Sequence, residues 1–169
     1  MSLPPPSSTS STSQVVTTLN AWHINIQQSA LTISDPIHCS VGQELVMDYY
    51  NEPNLLSSQQ FRLHHDGLIE SVACPGLYLD VSGNNCNNDK FILYPLKSRE
   101  EPHPNQVWDT QEDEDYFDTT NHSTYFYGPA YTIHSDLCPQ QQLSSTTFGN
   151  PSTLTFDSNE YYTRYWFFV

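Results

Sequence analysis

The chain has 169 residues, enough for one domain with its own core and too few for two comfortable ones. Nineteen acidic residues against five basic ones give a formal charge of −14, which repels nucleic-acid phosphates and anionic lipid headgroups. No apolar run approaches the roughly 20 residues that cross a bilayer, so neither nucleic acid nor membrane insertion is expected.

Residues 1–18 are almost entirely Ser, Thr, Pro and Gln with a few Val, a mixture that buries too little apolar area to offset its ordering entropy. They read as a disordered tail ahead of a single domain over residues 19–169. The start Met1-Ser2-Leu3-Pro4-Pro5-Pro6 offers neither a basic nor an apolar leader, and cytoplasmic residence is expected. From Asn20 onward short apolar runs alternate with Gly, Pro, Asn and Asp, with no helical stripe. Aromatic residues make up 13% of the chain and favour strands.

The first half is predicted to form strands over Trp22–Gln27, Leu31–Ser34, Glu44–Tyr50, Gln59–Leu63, Leu68–Val72 and Leu77–Val81. Between the fourth and fifth, His64-His65-Asp66 is the densest histidine cluster. Adjacent strand residues face opposite sides, so a turn ending at Asp66-Gly67 explains it better than a shared metal. The second half adds Phe91–Leu96, Gln106–Thr110, Tyr125–Tyr127, Ala130–His134, Thr153–Phe156 and Tyr165–Val169. The intervening segment Gln111–His122 carries Glu112, Asp113, Glu114, Asp115 and Asp118 and reads as a solvated acidic loop. It lacks the Gly-containing spacing of a calcium loop, and neither metal nor other cofactor is expected.

Three triplets recur along this order: Gln59-Gln60-Phe61, Gln106-Val107-Trp108 and Arg164-Tyr165-Trp166. Each places an amide or guanidinium two residues before a large ring. From Trp22 the rings are spaced by 39, 47 and 58 residues, a repeat stretched by insertions. Cys39, Cys74 and Cys138 each fall just before the third strand of a proposed repeat, which suits small core residues. With Cys86 they would make two disulfides in an exported chain, but a domain of this size does not need them. Free buried thiols are expected, with a Cys74–Cys86 pair as the alternative.

Residues 67–110 contain Gly76-Leu77-Tyr78-Leu79-Asp80-Val81-Ser82-Gly83, then Phe91-Ile92-Leu93-Tyr94-Pro95-Leu96-Lys97, then Asn105-Gln106-Val107-Trp108. This order resembles one repeat of the ricin B-type lectins. The resemblance implies an all-β fold, a β-trefoil of about twelve short strands with pseudo-three-fold repeats. It also implies a sugar site made by Asp80, Tyr94 and Asn105, with Gln106 tying a turn beside them and Trp108 buried in the core. The chemistry is coherent: a carboxylate accepts from two sugar hydroxyls while a ring covers the apolar face of the pyranose. Bland alternatives are an Asp80 that caps the Ser82–Asn88 turn and a Tyr94 that is an ordinary half-buried strand ring.

This chain departs from the family pattern at several places. Ile92 stands where the family carries a Gln that supports the pocket. Asp48 matches the pocket acid in the first repeat without room for the rest of the site, and Ser144–Phe148 offers no acid in the third. One working site is expected. Exported members close a disulfide where Tyr78 and Leu96 stand here, which agrees with a reducing compartment. A glycan-binding lectin, of the galactose or N-acetylgalactosamine class by the resemblance, is the leading function. The alternative is a trefoil inhibitor or interaction module acting through Gln111–His122 or Ser98–Pro104, with Arg99 or Glu101-Pro102-His103-Pro104 as contacts; a trefoil without ligand is the bland third. With no Gly-x-Ser-x-Gly elbow, no phosphate loop and six Gly in all, an enzyme is not expected.

Overall fold

A computed structural model describes residues 15–22, 28–49, 56–87, 90–98, 100–101, 103–113, 130–145, 154–157 and 166–168. Apart from single 3-10 turns at Ser57–Gln59 and Ser82–Asn84, the regular structure among them is all strand. Strand β1 (Val15–Trp22) pairs antiparallel with β4 (Gln60–Leu63) and β12 (Trp166–Phe168). β4 continues to β5 (Ile69–Ser71), while β8 (Trp108–Asp113) pairs with β9 (Ala130–Ser135), which pairs with β12. The ring closes where the Trp108 N–H donates to the Gly67 carbonyl at 2.9 Å. Gly67 has φ +82°, and a Cβ there would stand 2.9 Å from the Trp108 carbonyl oxygen, so this approach requires glycine.

Three hairpins hang from this ring: β2 (Gln28–Ile33) with β3 (Gln43–Tyr49), β6 (Leu77–Val81) with β7 (Phe91–Pro95), and β10 (Gln142–Ser145) with β11 (Leu154–Asp157). Their inward residues, among them Leu31, Met47, Leu79, Leu93, Leu143 and Phe156, join Phe61, Trp108, Ile133 and Trp166 in one core. Phe156 packs edge-on against Phe91 at 4.9 Å and stacks on Trp108 at 6.2 Å. Each buried indole needs an acceptor. Trp108 Nε1 donates to the Leu79 carbonyl at 3.1 Å and Trp166 Nε1 to the Leu143 carbonyl at 2.8 Å, each tying a ring strand to its hairpin.

Several expectations change. Residues 15–18, assigned to the tail, stand in β1 opposite β4, with Thr17 and Thr18 buried. The run Val15-Val16-Thr17-Thr18 is wholly β-branched, and its strand preference outweighs the polar composition around it. Residues 1–14 lie outside the described residues. So do the Tyr125–Tyr127 strand, Arg99 and most of the acidic loop, of which Gln111, Glu112 and Asp113 belong to β8.

The cysteines are not free. Cys39, inside the β2–β3 hairpin, is bonded to Cys74 on the β5–β6 turn. Cys86, inside the β6–β7 hairpin, is bonded to Cys138 on the β9–β10 turn. Cys39 lies within a hairpin whereas Cys74 and Cys138 lie on turns that lead into one, so these three do not share the phase read for them. Each bridge staples a hairpin to the turn that leads into the next one, across 35 and 52 residues of chain. Closing loops of that length stabilises by about 4 kcal/mol each in the chain-entropy account. Such contacts depend on the packing of separate units, which local sequence does not reveal.

Candidate functional site

In β6 and β7 the buried pair Leu79 and Leu93 faces the core, which puts Tyr78, Asp80, Ile92 and Tyr94 together on the outer face. Asp80 lies opposite Ile92 and Tyr78 opposite Tyr94, so the acid and the tyrosine ring are diagonal neighbours. Asn105 and Gln106 arrive on a tight turn whose Gln106 N–H donates to the His103 carbonyl at 2.8 Å. The turn is pinned to β6 by the Val81 N–H, which donates to the Asn105 carbonyl at 2.9 Å.

Four of the residues singled out by sequence meet here, with distinct jobs. Asn105 Nδ2 donates to Asp80 Oδ1 at 2.7 Å and to the Val81 carbonyl at 3.1 Å, fixing the carboxylate's orientation. Gln106 is fully buried: its Oε1 accepts from the Lys97 N–H and its Nε2 donates to the Pro95 carbonyl, both at 3.0 Å. It ties the exit of β7 to the turn before β8 and so places Lys97. Tyr94 is 37% exposed.

Asp80 differs from a carboxylate open at the rim of a cup: it is 1% exposed. Lys97 covers it, with Nζ 2.9 Å from Oδ2 and 5.2 Å from the centre of the Tyr94 ring. Burial pushes the Asp80 carboxyl up from 3.8, against the opposing pull of Lys97. The ammonium meets Oδ2 at the distance of a charge-assisted hydrogen bond. Asn105 Oδ1 and His103 Nδ1, by contrast, are buried without a hydrogen-bond partner. Sequence reading gave Lys97 no role and named His103 only as a loop contact of the alternative interaction module. The available signal was Lys97's rarity, one of five basic residues, placed three residues after the platform ring.

The other hairpins carry different chemistry at the same register. Opposite the buried pair Leu31 and Met47, Thr32 takes the place of Asp80, and Asp48 takes that of Tyr94 because it pairs with Ala30. Asp48 is therefore not the pocket acid of a first repeat. Thr32 Oγ1 instead accepts from Gln59 Nε2 at 3.1 Å. In the third hairpin Ser144 and Asp157 hold these positions.

A groove of about 450 Å³ opens elsewhere, between the β4–β5 turn and the start of β8, and includes His64, His65, Val107, Asp109 and Asp136 in its lining. The Trp108 ring in its lining is buried. His64 is engaged with Glu70 at 3.1 Å, and Glu70 also accepts from the Gly76 N–H at 2.8 Å. The histidine cluster is thus a turn held by a carboxylate. Among the described residues no three His, Cys, Asp or Glu side chains gather to hold a metal ion.

No protein-family model matches the chain, and no curated protein matches its sequence. Solved structures do match. The designed three-fold symmetric protein ThreeFoil superposes with a TM-score of 0.64 at 21% identity, over 91% of this chain and 97% of that one. The β-trefoil lectin of the Vibrio vulnificus hemolysin/cytolysin, solved with N-acetyl-D-lactosamine bound, gives 0.59 at 11% identity, over 94% and 96%. The agglutinin of Abrus precatorius gives 0.61 at 19% identity, covering 94% of this chain and 49% of that one. A mosquitocidal holotoxin also matches, and the chain spans 17% of its length. The fold is that of the β-trefoil proteins.

Proposed function

We propose, on the premise of a fold shared with β-trefoil lectins, that this protein is a carbohydrate-binding module whose working site is the outer face of β6–β7. The observation that carries this reading is Asn105 Oδ1, a buried acceptor without a hydrogen-bond partner, next to the Asp80 carboxylate that Lys97 covers and beside the half-exposed Tyr94 ring. A buried acceptor left unmatched is costly, and sugar hydroxyls are donors that satisfy it. The Tyr94 ring covers the C–H face of the pyranose, Asn105 holds the carboxylate in line, and Gln106 keeps the frame. Galactose or N-acetylgalactosamine is the proposed class, from the resemblance of residues 67–110. The hairpins read as three pseudo-equivalent units, of which, among the described residues, the second alone joins an acid to a ring. The two disulfides favour an oxidising compartment over the cytoplasmic one expected from the N-terminal residues.

A glycan array with wild type and Asp80→Ala tests this. Binding lost in the variant supports it, and a broad array left blank by the wild type removes it. One observation favours a second reading, a protein-interaction module, through a loop other than those expected. In the β2–β3 connection, held by the Cys39–Cys74 bond, Ile37 is 83% and Val41 58% exposed. Inhibition of a protease panel, abolished by Ile37→Asp, would identify that role.

A further inference from the structure

We infer that within this class of hexoses the site prefers a cationic member: one with a free ammonium group, which replaces the ammonium of Lys97 between Asp80 and Tyr94. The inference rests on the carbohydrate reading above and adds the ligand's charge to it. The chain already displays the arrangement in itself, since Lys97 holds its ammonium 2.9 Å from Asp80 Oδ2 and 5.2 Å from the Tyr94 centroid. A buried carboxylate on one side and the negative face of a ring on the other favour a cation. A ligand that stacks on Tyr94 and reaches Oδ2 must enter this same space.

Three ligand classes meet three different balances there. A neutral hexose either leaves Lys97 in place and is kept from Oδ2, or displaces it and leaves Asp80, 1% exposed, without a counter-charge. A uronic acid pairs with Lys97 but sets a second carboxylate beside the first, on a chain of net charge −14. An amino sugar exchanges one ammonium for another. Asp80 keeps its counter-charge, the ring keeps its cation, and the ligand's hydroxyls remain to donate to Asn105 Oδ1. Lys97 is 27% exposed on a flexible four-carbon stem, so it reaches water without moving the backbone that Gln106 holds. The same net charge concentrates a cationic glycan near the surface.

Isothermal titration of the full chain at low salt and mildly acid pH separates these cases, using galactose, N-acetylgalactosamine and galactosamine, and the matching glucose series. The expected result is that one free amine binds about tenfold or more tightly than its neutral and N-acetylated counterparts, with the advantage shrinking as salt screens it. In Lys97→Met, which removes the competing ammonium, that amine binds several-fold tighter still and the neutral sugar does not. An amine with no advantage, or one weakened by Lys97→Met, overturns the inference. If neutral sugars bind and amines do not, the carbohydrate reading stands and this step alone falls. If none of the six sugars binds, both fall.

Discussion

The β6–β7 and β2–β3 hairpins share one frame and present two surfaces. Inward, Leu79 opposite Leu93 and Leu31 opposite Met47 are interchangeable apolar pairs. Outward, Asp80 and Tyr94 in one become Thr32 and Asp48 in the other. The core tolerates only volume-conserving change at the inner positions, whereas the outer ones lie off the core and differ in chemistry even where, as at Asp80 and Thr32, they are covered. The chemistry that distinguishes the hairpins therefore lies in alternate residues of strands that are otherwise alike.

The largest effects should strike what the hairpins have in common. Trp108→Ala and Trp166→Ala each remove a buried indole and orphan a hairpin carbonyl, so each should cost about 3–5 kcal/mol in urea unfolding. If one were silent, the two indole bonds would not be equivalent. Replacing Cys86 and Cys138 together by Ala should cost about 2–5 kcal/mol, as should replacing Cys39 and Cys74. Only the first pair should also weaken glycan binding, because only it holds the β6–β7 connection itself, at Cys86.

Smaller effects sharpen the difference between the surfaces. Asp80→Ala should lower glycan affinity at least tenfold, about 1.4 kcal/mol, while Thr32→Ala leaves it unchanged in the same titration. Acidification should do the same reversibly. Burial raises the Asp80 carboxyl above 3.8, so protonation removes its acceptor, and binding should fade with a midpoint above that value. The stability sign is opposite. A raised folded-state value means the native state holds the proton more tightly, so this group's contribution is full below its unfolded value and is lost as pH rises through the folded one. Smallest of all, Ile92→Gln should improve affinity a few-fold by adding a donor on the outer face beside Asp80.

How far the sequence reveals this molecule depends on how local each feature is. Leu77–Val81 is a strand with the predicted bounds because Gly76 and Ser82-Gly83 bracket an alternating run. The strand Gln142–Ser145 escaped notice because three of its four residues are polar, although Leu143, Ser144 and Ser145 are all buried. Asp80, Tyr94 and Asn105 were legible through their order along the chain and do converge on one face. The ammonium lying over two of them was not, because the path of Lys97 is set by Gln106 from a later turn. The disulfides failed for the same reason, since each joins units that meet only after the ring has closed.

Chemical-shift mapping by NMR tests the central claim most directly. On titration with a bound sugar, the account predicts perturbations concentrated at Tyr78–Val81, Ile92, Tyr94, Lys97 and His103–Gln106, with Thr32 and Ser144 unmoved. Shifts centred instead on the groove near His65 and Asp109, or on Ile37 and Val41, would contradict it.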